Sequence, residues 1–336
     1  MPQLRPVVAL TLGDPASVGP EVVVKALATG GLHVACVPVV VGDSRFVRRA
    51  IGTTGAALEV VAIGRPAEAT GTPGRVEVVE VPAYGFDGIE WGKVQAPAGR
   101  AAFEAVRVAI DLALALEVDA VATAPVNKEA FRAAGVTQIG HTEIFGELTG
   151  TPDPLTLFEV RSLRIFFLTR HLPLAEAIRR VTAERTLDTL RRAAAALVTL
   201  GVPAPRLAVA ALNPHGGEHG LFGDEEEREL VPAVAAARAE GIDAHGPLPA
   251  DSVFWHAAAG RFDAVLSLYH DQGHVAAKMY DFERTVSLTC GLPFLRTSVD
   301  HGTAFDLAGS GRASEISLVE AVKAAARYAF AVRPRA

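Results

Sequence analysis

The chain predicts a two-domain α/β protein built on parallel sheets, and three observations carry that expectation. Its 336 residues exceed the roughly 250–300 over which a single hydrophobic core usually grows. Short β-rich apolar runs alternate with longer helical ones, the pattern of βαβ units. Half of the residues are hydrophobic and 21% are charged, an ordinary globular balance.

Taken in order, seven runs read as buried strands: VVALTL (7–12), VPVVVG (37–42), VEVVEV (76–81), AVATAP (120–125), RIFFLT (164–169), RLAVAAL (206–212) and AVLSLY (264–269). Between several of them, AGRAAFEAVRVAIDLALALE (98–117) and AERTLDTLRRAAAALVTLG (183–201) place apolar residues on one helical face and Arg or Glu on the other. GHTEIFGELTGT (140–151) reads as the passage from the first domain to the second. SEISLVEAVKAAARYAFAV (314–332) reads as a helix returning to the first. The expected division is residues 1–140 plus 298–336, and residues 141–297.

A net charge of −6 and the lack of a basic cluster argue against nucleic-acid binding. No apolar run reaches the length of a membrane span. The opening MPQLRPVVALTLGDP turns polar too soon for a signal peptide, and two cysteines, Cys36 and Cys290, suit buried positions in a reducing compartment. The expected location is the cytoplasm.

Three apolar runs end in a histidine within a polar setting: RIFFLTRH (His171), LAVAALNPH (His215) and DAVLSLYH (His270). Such a run reads as a strand delivering a side chain at its C-terminal edge, where ligands sit in open α/β sheets. Three such imidazoles can hold one divalent metal with a coordination position open. His270 and His274 also have helical metal-pair spacing. Gly273 and the Asp271-Gln272 pair argue against a continuous helix there, so His270 alone is taken as ligand and His274 as a supporting or packing residue. His33, His245 and His256 read as surface or cap residues.

TLGDPASVGPEVVVKAL (11–27) is a strand, a Gly/Pro turn and a helix, an arrangement that suits an anion. Asp14 binds substrate or orders the loop; the segment is neither a dinucleotide GxGxxG nor a P-loop, and a structural turn fits equally. ATAPVNKEAF (122–131) brings Asn127 and Lys128 after a strand. Beyond it, Thr142 either caps a helix or joins His141 in contacting substrate. In GLPFLRTSVDHGTAFDLAGSGRAS (291–314), Arg296 is placed to clamp a carboxylate or phosphate, with a surface salt bridge as the alternative. The glycines beyond it allow close backbone approach to a ligand.

These motifs together give a resemblance. TLGDPASVGPE, APVNKEAF, GHTE, LTRHLPL, NPHGGE, FGDEE, GPLPADSVF, YHDQGH and RTSVDHGTAFDLAG follow one another in the order of the 4-hydroxythreonine-4-phosphate dehydrogenase family of pyridoxal phosphate biosynthesis. The resemblance implies an isocitrate/isopropylmalate dehydrogenase-like fold of two α/β domains with a cleft between them. It implies metal ligation by His171, His215 and His270, and substrate contacts from His141, Thr142, Lys278 and Arg296. The HGTAFDLAG stretch, with His301, Gly302, Thr303, Ala304 and Asp306, looks like the loop that cradles the adenosine part of NAD (or NADP). The family is a homodimer with a shared site, and the second domain would carry most metal and dimer contacts. Two positions depart from the family pattern: Ser17 replaces a Gly, and Ser287 stands where the biosynthetic enzymes carry a substrate-contacting Asn. A hydroxyl cannot offer both amide partners. YHDQGHVAAKMYDFERTVS (269–287) is closer to a branch that oxidises 4-phospho-D-threonate or 4-phospho-D-erythronate. Other relatives act on carboxylated cyclohexadiene diols.

The implied reaction oxidises the 3-hydroxyl, a secondary alcohol β to a carboxylate, of a 4-phosphorylated four-carbon hydroxy acid of the 4-hydroxythreonine 4-phosphate type, with the threonate or erythronate phosphate and the cyclic diol acid as alternatives. Hydride passes to NAD, a divalent ion (zinc, cobalt, magnesium or manganese) stabilises the developing alkoxide, and the β-keto acid loses CO₂. Lys278 is the candidate for proton transfer or carboxylate neutralisation, and Asp251 a weaker candidate for supporting the metal histidines. The rival readings are a phosphate acyltransferase of related fold, which needs no NAD, and a non-catalytic metabolite or metal sensor.

Overall fold

The computed structural model describes residues 5–82, 86–138 and 140–333. The chain runs β1 (Val7–Thr11), α1 (Gly19–Ala28), α2 (Leu32–Ala35), β2 (Val37–Gly42), α3 (Ser44–Thr54), β3 (Glu59–Ile63), β4 (Arg75–Glu80), α4 (Ala96–Leu114) and β5 (Ala120–Thr123). It continues through α5 (Lys128–Ala133), α6 (His141–Leu148), β6 (Leu155–Val160), β7 (Leu163–Phe167), α7 (Leu174–Arg179), α8 (Ala183–Thr199) and β8 (Leu207–Ala210). The last part is α9 (Val231–Ala239), β9 (Ala244–Leu248), α10 (Ala250–Ala258), β10 (Ala264–Ser267), α11 (His270–Asp281), β11 (Val286–Cys290), β12 (Leu295–Val299) and α12 (Ile316–Val332).

Two compact units result: Met1–Pro154 with Gly291–Ala336, and Leu155–Cys290. In the first, six strands lie in the order β3-β4-β2-β1-β5-β12, each neighbouring pair parallel. Parallel neighbours need crossovers, and the helices supply them. One face carries α4, α5 and α6 on a core of Val106, Ile110, Val121, Phe131, Ile144 and Phe145. The helix α12 does return to this unit, packing on β12 and β5.

The second unit orders its strands β11-β6-β7-β10-β8-β9. Its β7, β10, β8 and β9 are parallel neighbours. The β6–β7 and β11–β6 pairs are antiparallel, a departure from the all-parallel expectation. Arg161 turns at φ 53°, so LTLFEV and LRIFF fold back on one another as a hairpin rather than waiting for a crossover.

All seven anticipated strands form, and β3, β6, β9, β11 and β12 are additional. β3 is half exposed, and β9 contains Gly246-Pro247, so neither carries the apolar continuity of a buried strand. The domain boundaries also shift. Residues 141–154 and 291–297 belong to the first unit, because Ile144 and Phe145 of α6 enter its core with Phe294. The rings of Phe145 and Phe294 meet edge-on at 6.0 Å. His33 is buried rather than a surface residue. Cys36 and Cys290 are buried, and burial pushes both thiols up to about 12.

Candidate active site

In the first unit, the strand register sets Thr123 of β5 level with Thr11 of β1 and with Ser298 of β12. Arg296 lies two residues before Ser298, so its side chain leaves the sheet on the same face. It is only 4% exposed. Its Nη2 donates to Thr123 Oγ1 at 2.7 Å, and the guanidinium sits 5.4 Å from the centroid of the Phe145 ring. Burial holds it down to about 9, with Glu143 acting in the opposite direction. A guanidinium keeps its proton in proteins, so an arriving anion, rather than proton loss, relieves that cost. The surface salt-bridge reading is therefore set aside.

His141 opens α6. Burial, then the charge of Arg296, holds its imidazole well below 6.5, and it is neutral near pH 7. Its Nε2 is buried without a hydrogen-bond partner among the described residues. A buried polar atom left in that state is an uncommon cost, and a ligand atom would remove it. Thr142 is half-buried and does not cap the helix, since Gly140 occupies that position. Asn127 does cap α5, accepting from the Ala130 amide at 2.8 Å, which gives it a structural task.

The GDPASVGPE turn is held from within. Asp14 is fully buried; its Oδ1 accepts from the Ala16 amide at 2.8 Å, while Oδ2 has no partner among the described residues. Burial raises this carboxyl to about 6 against the Ala16 hydrogen bond. Ser17 strengthens the turn: its hydroxyl donates to Asp14 O at 2.7 Å and accepts from the Gly19 amide at 3.0 Å. Gly13 turns at φ +74°, and a Cβ there would meet Pro125 O at 2.5 Å.

Residues 300–311 form an irregular loop beside α1. Glu21, fully buried in α1, accepts from the amides of Gly309 and Gly311. The Val18 amide donates to Thr303 O at 3.2 Å. Arg49 stacks 3.8 Å from the Trp91 ring centroid, and a Cβ on Gly309 would meet Trp91 Cδ1 at 2.6 Å. His301 bonds Gly302 O through Nδ1 at 2.9 Å, and its buried Nε2 has no partner among the described residues. Ala304 is left-handed at φ 39°, while Gly302 and Asp306 are exposed. An immobilised loop with a free buried imidazole nitrogen is compatible with a nicotinamide dinucleotide.

In the second unit, β7 leads to His171, β8 to His215 and β10 to His270. The His171 and His270 rings are 5.7 Å apart. His270 Nδ1 pairs with Asp271 Oδ1 at 2.6 Å, which leaves Nε2 for a ligand. His215 sits in a run of positive φ through His219. Imidazoles of this kind suit a divalent transition metal, and the open Nε2 of His270 fits one. Among the described residues, however, no three His, Cys, Asp or Glu of one chain gather as a metal-holding group.

The helix α11 runs unbroken through His270 and His274, contrary to the broken segment anticipated. Glycine costs a helix about 1 kcal/mol relative to alanine, but a Cβ at Gly273 would meet the Phe167 ring at 2.5 Å. Close helix-to-strand packing thus demands the residue that local propensity disfavours. His274 stacks on His270 at 3.6 Å and meets Phe158 and Phe167 at 4.5 and 4.7 Å. Burial holds it down to about 4, in keeping with a packing role. Lys278 follows His274 one turn later and is half-buried. Ser287 pairs with Phe158 across β11 and β6 and so shares the sheet face on which His274 packs. Asp251 is exposed in the first turn of α10.

Two residues that sequence reading passed over hold this part of the structure: Thr123, which accepts from Arg296, and Glu21, which accepts from the Gly309 and Gly311 amides. Each of these two is a polar residue within or beside an apolar segment. That was the available signal, because a buried polar group needs a stated partner.

The fold is of the isocitrate/isopropylmalate dehydrogenase-like α/β class, and similar proteins are named dehydrogenases. A family model described as pyridoxal phosphate biosynthetic protein PdxA matches residues 34–325, and the chain belongs to that family. A protein of Symbiobacterium thermophilum, provisionally named a D-threonate 4-phosphate dehydrogenase, is 60% identical over 98% of both chains. The crystal structure of 4-hydroxythreonine-4-phosphate dehydrogenase from Klebsiella pneumoniae matches with a TM-score of 0.91 and 42% identity, covering 98% of this chain and 99% of that one. A terephthalate 1,2-cis-dihydrodiol dehydrogenase from Burkholderia xenovorans matches with a TM-score of 0.63 and 30% identity, covering 93% and 95%. No helix among the described residues is long and apolar enough to cross a membrane.

Proposed function

We propose that this chain is an NAD(P)-dependent, divalent-metal-requiring dehydrogenase of a 4-phosphorylated four-carbon hydroxy acid, with 4-phospho-D-threonate as the preferred substrate class. The observation that carries the reading is the buried Arg296 on Thr123 beside the neutral His141. A fixed cation next to an unpartnered imidazole nitrogen suits an oxyanion. Arg296, His141 and Thr142 would hold a phosphate or carboxylate, and Lys278 would neutralise a second anionic group or carry a proton. The 301–306 loop residues, braced by Glu21, would receive the dinucleotide, whose nicotinamide accepts the hydride. His171, His215 and His270 would hold the divalent ion, which when bound polarises the reacting hydroxyl. Among the described residues of one chain no such triad gathers, and a second copy is proposed to complete the set. The exposed stripe of Val275, Met279 and Phe282, 60%, 82% and 63% accessible, supports a homodimer. Met279→Glu is expected to shift sedimentation from dimer toward monomer and to reduce turnover per chain; an unchanged dimer would remove the stripe from the interface.

The relative at 60% identity and Ser287 both favour a hydroxyl-bearing acid over the amino acid 4-hydroxythreonine 4-phosphate. The second reading, the amino substrate, rests on the Klebsiella pneumoniae structure. The deciding experiment measures NADH formation with both phosphorylated acids and with an unphosphorylated cyclic diol acid, across several divalent metals. Ser287→Asn is expected to shift the kcat/KM ratio toward the amino substrate by about tenfold, the scale of one lost or gained hydrogen bond. Equal ratios in the two proteins would remove Ser287 as a determinant. Turnover of the cyclic diol alone would reject the phosphorylated class. Binding without turnover would favour the sensor, and acyl transfer without NAD the acyltransferase.

A further inference from the structure

The strand end that leads to His215 is gripped residue by residue. Gln272 Nε2 donates to Ala211 O at 2.8 Å. Glu226 Oε1 accepts from the Leu212 amide at 2.7 Å and from the Asn213 amide at 2.6 Å. The Asn213 side-chain amide then donates to Glu226 Oε2 at 2.8 Å and to Glu225 Oε2 at 2.7 Å. Three consecutive residues therefore have main-chain polar groups taken by side chains from elsewhere in the unit.

Gln272 belongs to α11, the helix that His270 opens. Its Oε1 accepts from the Leu268 amide at 2.8 Å, just before that histidine. One side chain thus joins the segment carrying His215 to the segment carrying His270. Glu226 is 2% exposed and stands in a wide π-helical turn, Glu226–Leu230, a geometry frequent at functional sites. Burying a carboxylate is costly unless donors surround it; here the donors are those of the His215 turn. Room for the network is made by glycines. A Cβ on Gly223 would meet Glu225 Oε2 at 2.5 Å and Asn213 Nδ2 at 2.6 Å, and one on Gly217 would meet Glu226 Oε2 at 3.0 Å.

We infer that Gln272 and Glu226 are positioning residues that lock the left-handed turn of His215 to the helix of His270, and so set the affinity and geometry of the metal site. This rests on the metal reading of those histidines. Outer partners of metal ligands are worth about 10–100-fold in affinity, and loosening the turn would forfeit that factor.

The test uses full-length protein stripped with a chelator and titrated with Co²⁺, read by its visible absorption bands and by competition with a chromophoric chelator. Hydrogen exchange of residues 211–219 in the metal-free protein is the second readout. Gln272→Met and Glu226→Gln are expected to bind Co²⁺ about 10–100-fold more weakly, with altered bands. The metal-free variants are expected to exchange faster at 211–219 while the core strands keep wild-type protection. Should Gln272→Met not fold, Gln272→Glu keeps the acceptor for Leu268 and removes the donor to Ala211, and is read the same way. Affinity within twofold of wild type, with unchanged bands, would overturn the inference. Wild-type protein that takes up no Co²⁺ would instead overturn the metal reading; unchanged exchange in the variants would then overturn the lock as well, and faster exchange would uphold it.

Discussion

Replacing Arg296 with methionine is expected to lower kcat/KM for a phosphorylated four-carbon hydroxy acid by about 100- to 1,000-fold. Removing one member of a buried, hydrogen-bonded charge pair costs about 2–5 kcal/mol, and each 1.4 kcal/mol is about tenfold in rate or affinity. Arg296 stands above the lower end of that range because it is buried, fixed by Thr123 and stacked near Phe145. If the anion it holds is remote from the reacting hydroxyl, the loss falls mainly on KM; if held binding energy is used in the transition state, kcat falls too. Arg296→Lys is expected to recover little. An ammonium lacks the planar fork, and burial that already pulls on a guanidinium would push a lysine toward neutrality. A loss under tenfold in steady-state kinetics for Arg296→Met would remove this residue from substrate binding.

Asp14→Asn is expected to stabilise the protein above pH 7 and to have no such effect below pH 4. The carboxyl is raised from 3.8 to about 6, so the folded chain binds this proton more tightly than the unfolded one. The stabilising contribution is complete below 3.8 and is lost as pH rises through about 6, when an ionised group with an unpartnered oxygen must stay buried. The interval corresponds to about 3 kcal/mol at 1.36 kcal/mol per pH unit. Asparagine keeps the acceptor for the Ala16 amide but leaves a buried NH₂ short of partners, which takes back about 1–2 kcal/mol. The net gain is about 1–2 kcal/mol, read as a higher urea midpoint at pH 8; near pH 4, where the wild-type carboxyl is largely neutral, the amide's cost of about 1–2 kcal/mol remains and the midpoint is lower than wild type. Equal midpoints at pH 8 would sink the prediction. A carboxyl poised near neutrality is also suited to proton exchange. A variant both more stable and slower would give Asp14 that role, whereas unchanged turnover would restrict it to ordering the turn.

Much of this protein was legible without coordinates, because burial and periodicity are written locally. The seven apolar runs became strands since short, β-branched, unbroken hydrophobic segments have few other ways to be covered. The histidines at the ends of β7, β8 and β10 could be picked out for the same reason: the run stops where the strand leaves the core. The family motifs added roles that residue chemistry alone left open.

What the tertiary structure decided was every property set by partners distant in the chain. Thr123 and Arg296, 173 positions apart, meet because β5 and β12 pair in one register, and no local pattern encodes register. Residues 141–154 joined the first unit through Phe145 on Phe294. Gly273, a helix breaker by propensity, became a helix residue because Phe167 leaves no space for a Cβ. Gln272 and Glu226 acquired their tasks from main-chain atoms of Ala211, Leu212 and Asn213. The ionisation of Asp14 and His141 followed from burial, since the cost of a charge depends on what surrounds it in space. Sequence alone determined which segments are buried and which side chains stand at their ends; folding determined which of those side chains face one another and in what protonation state.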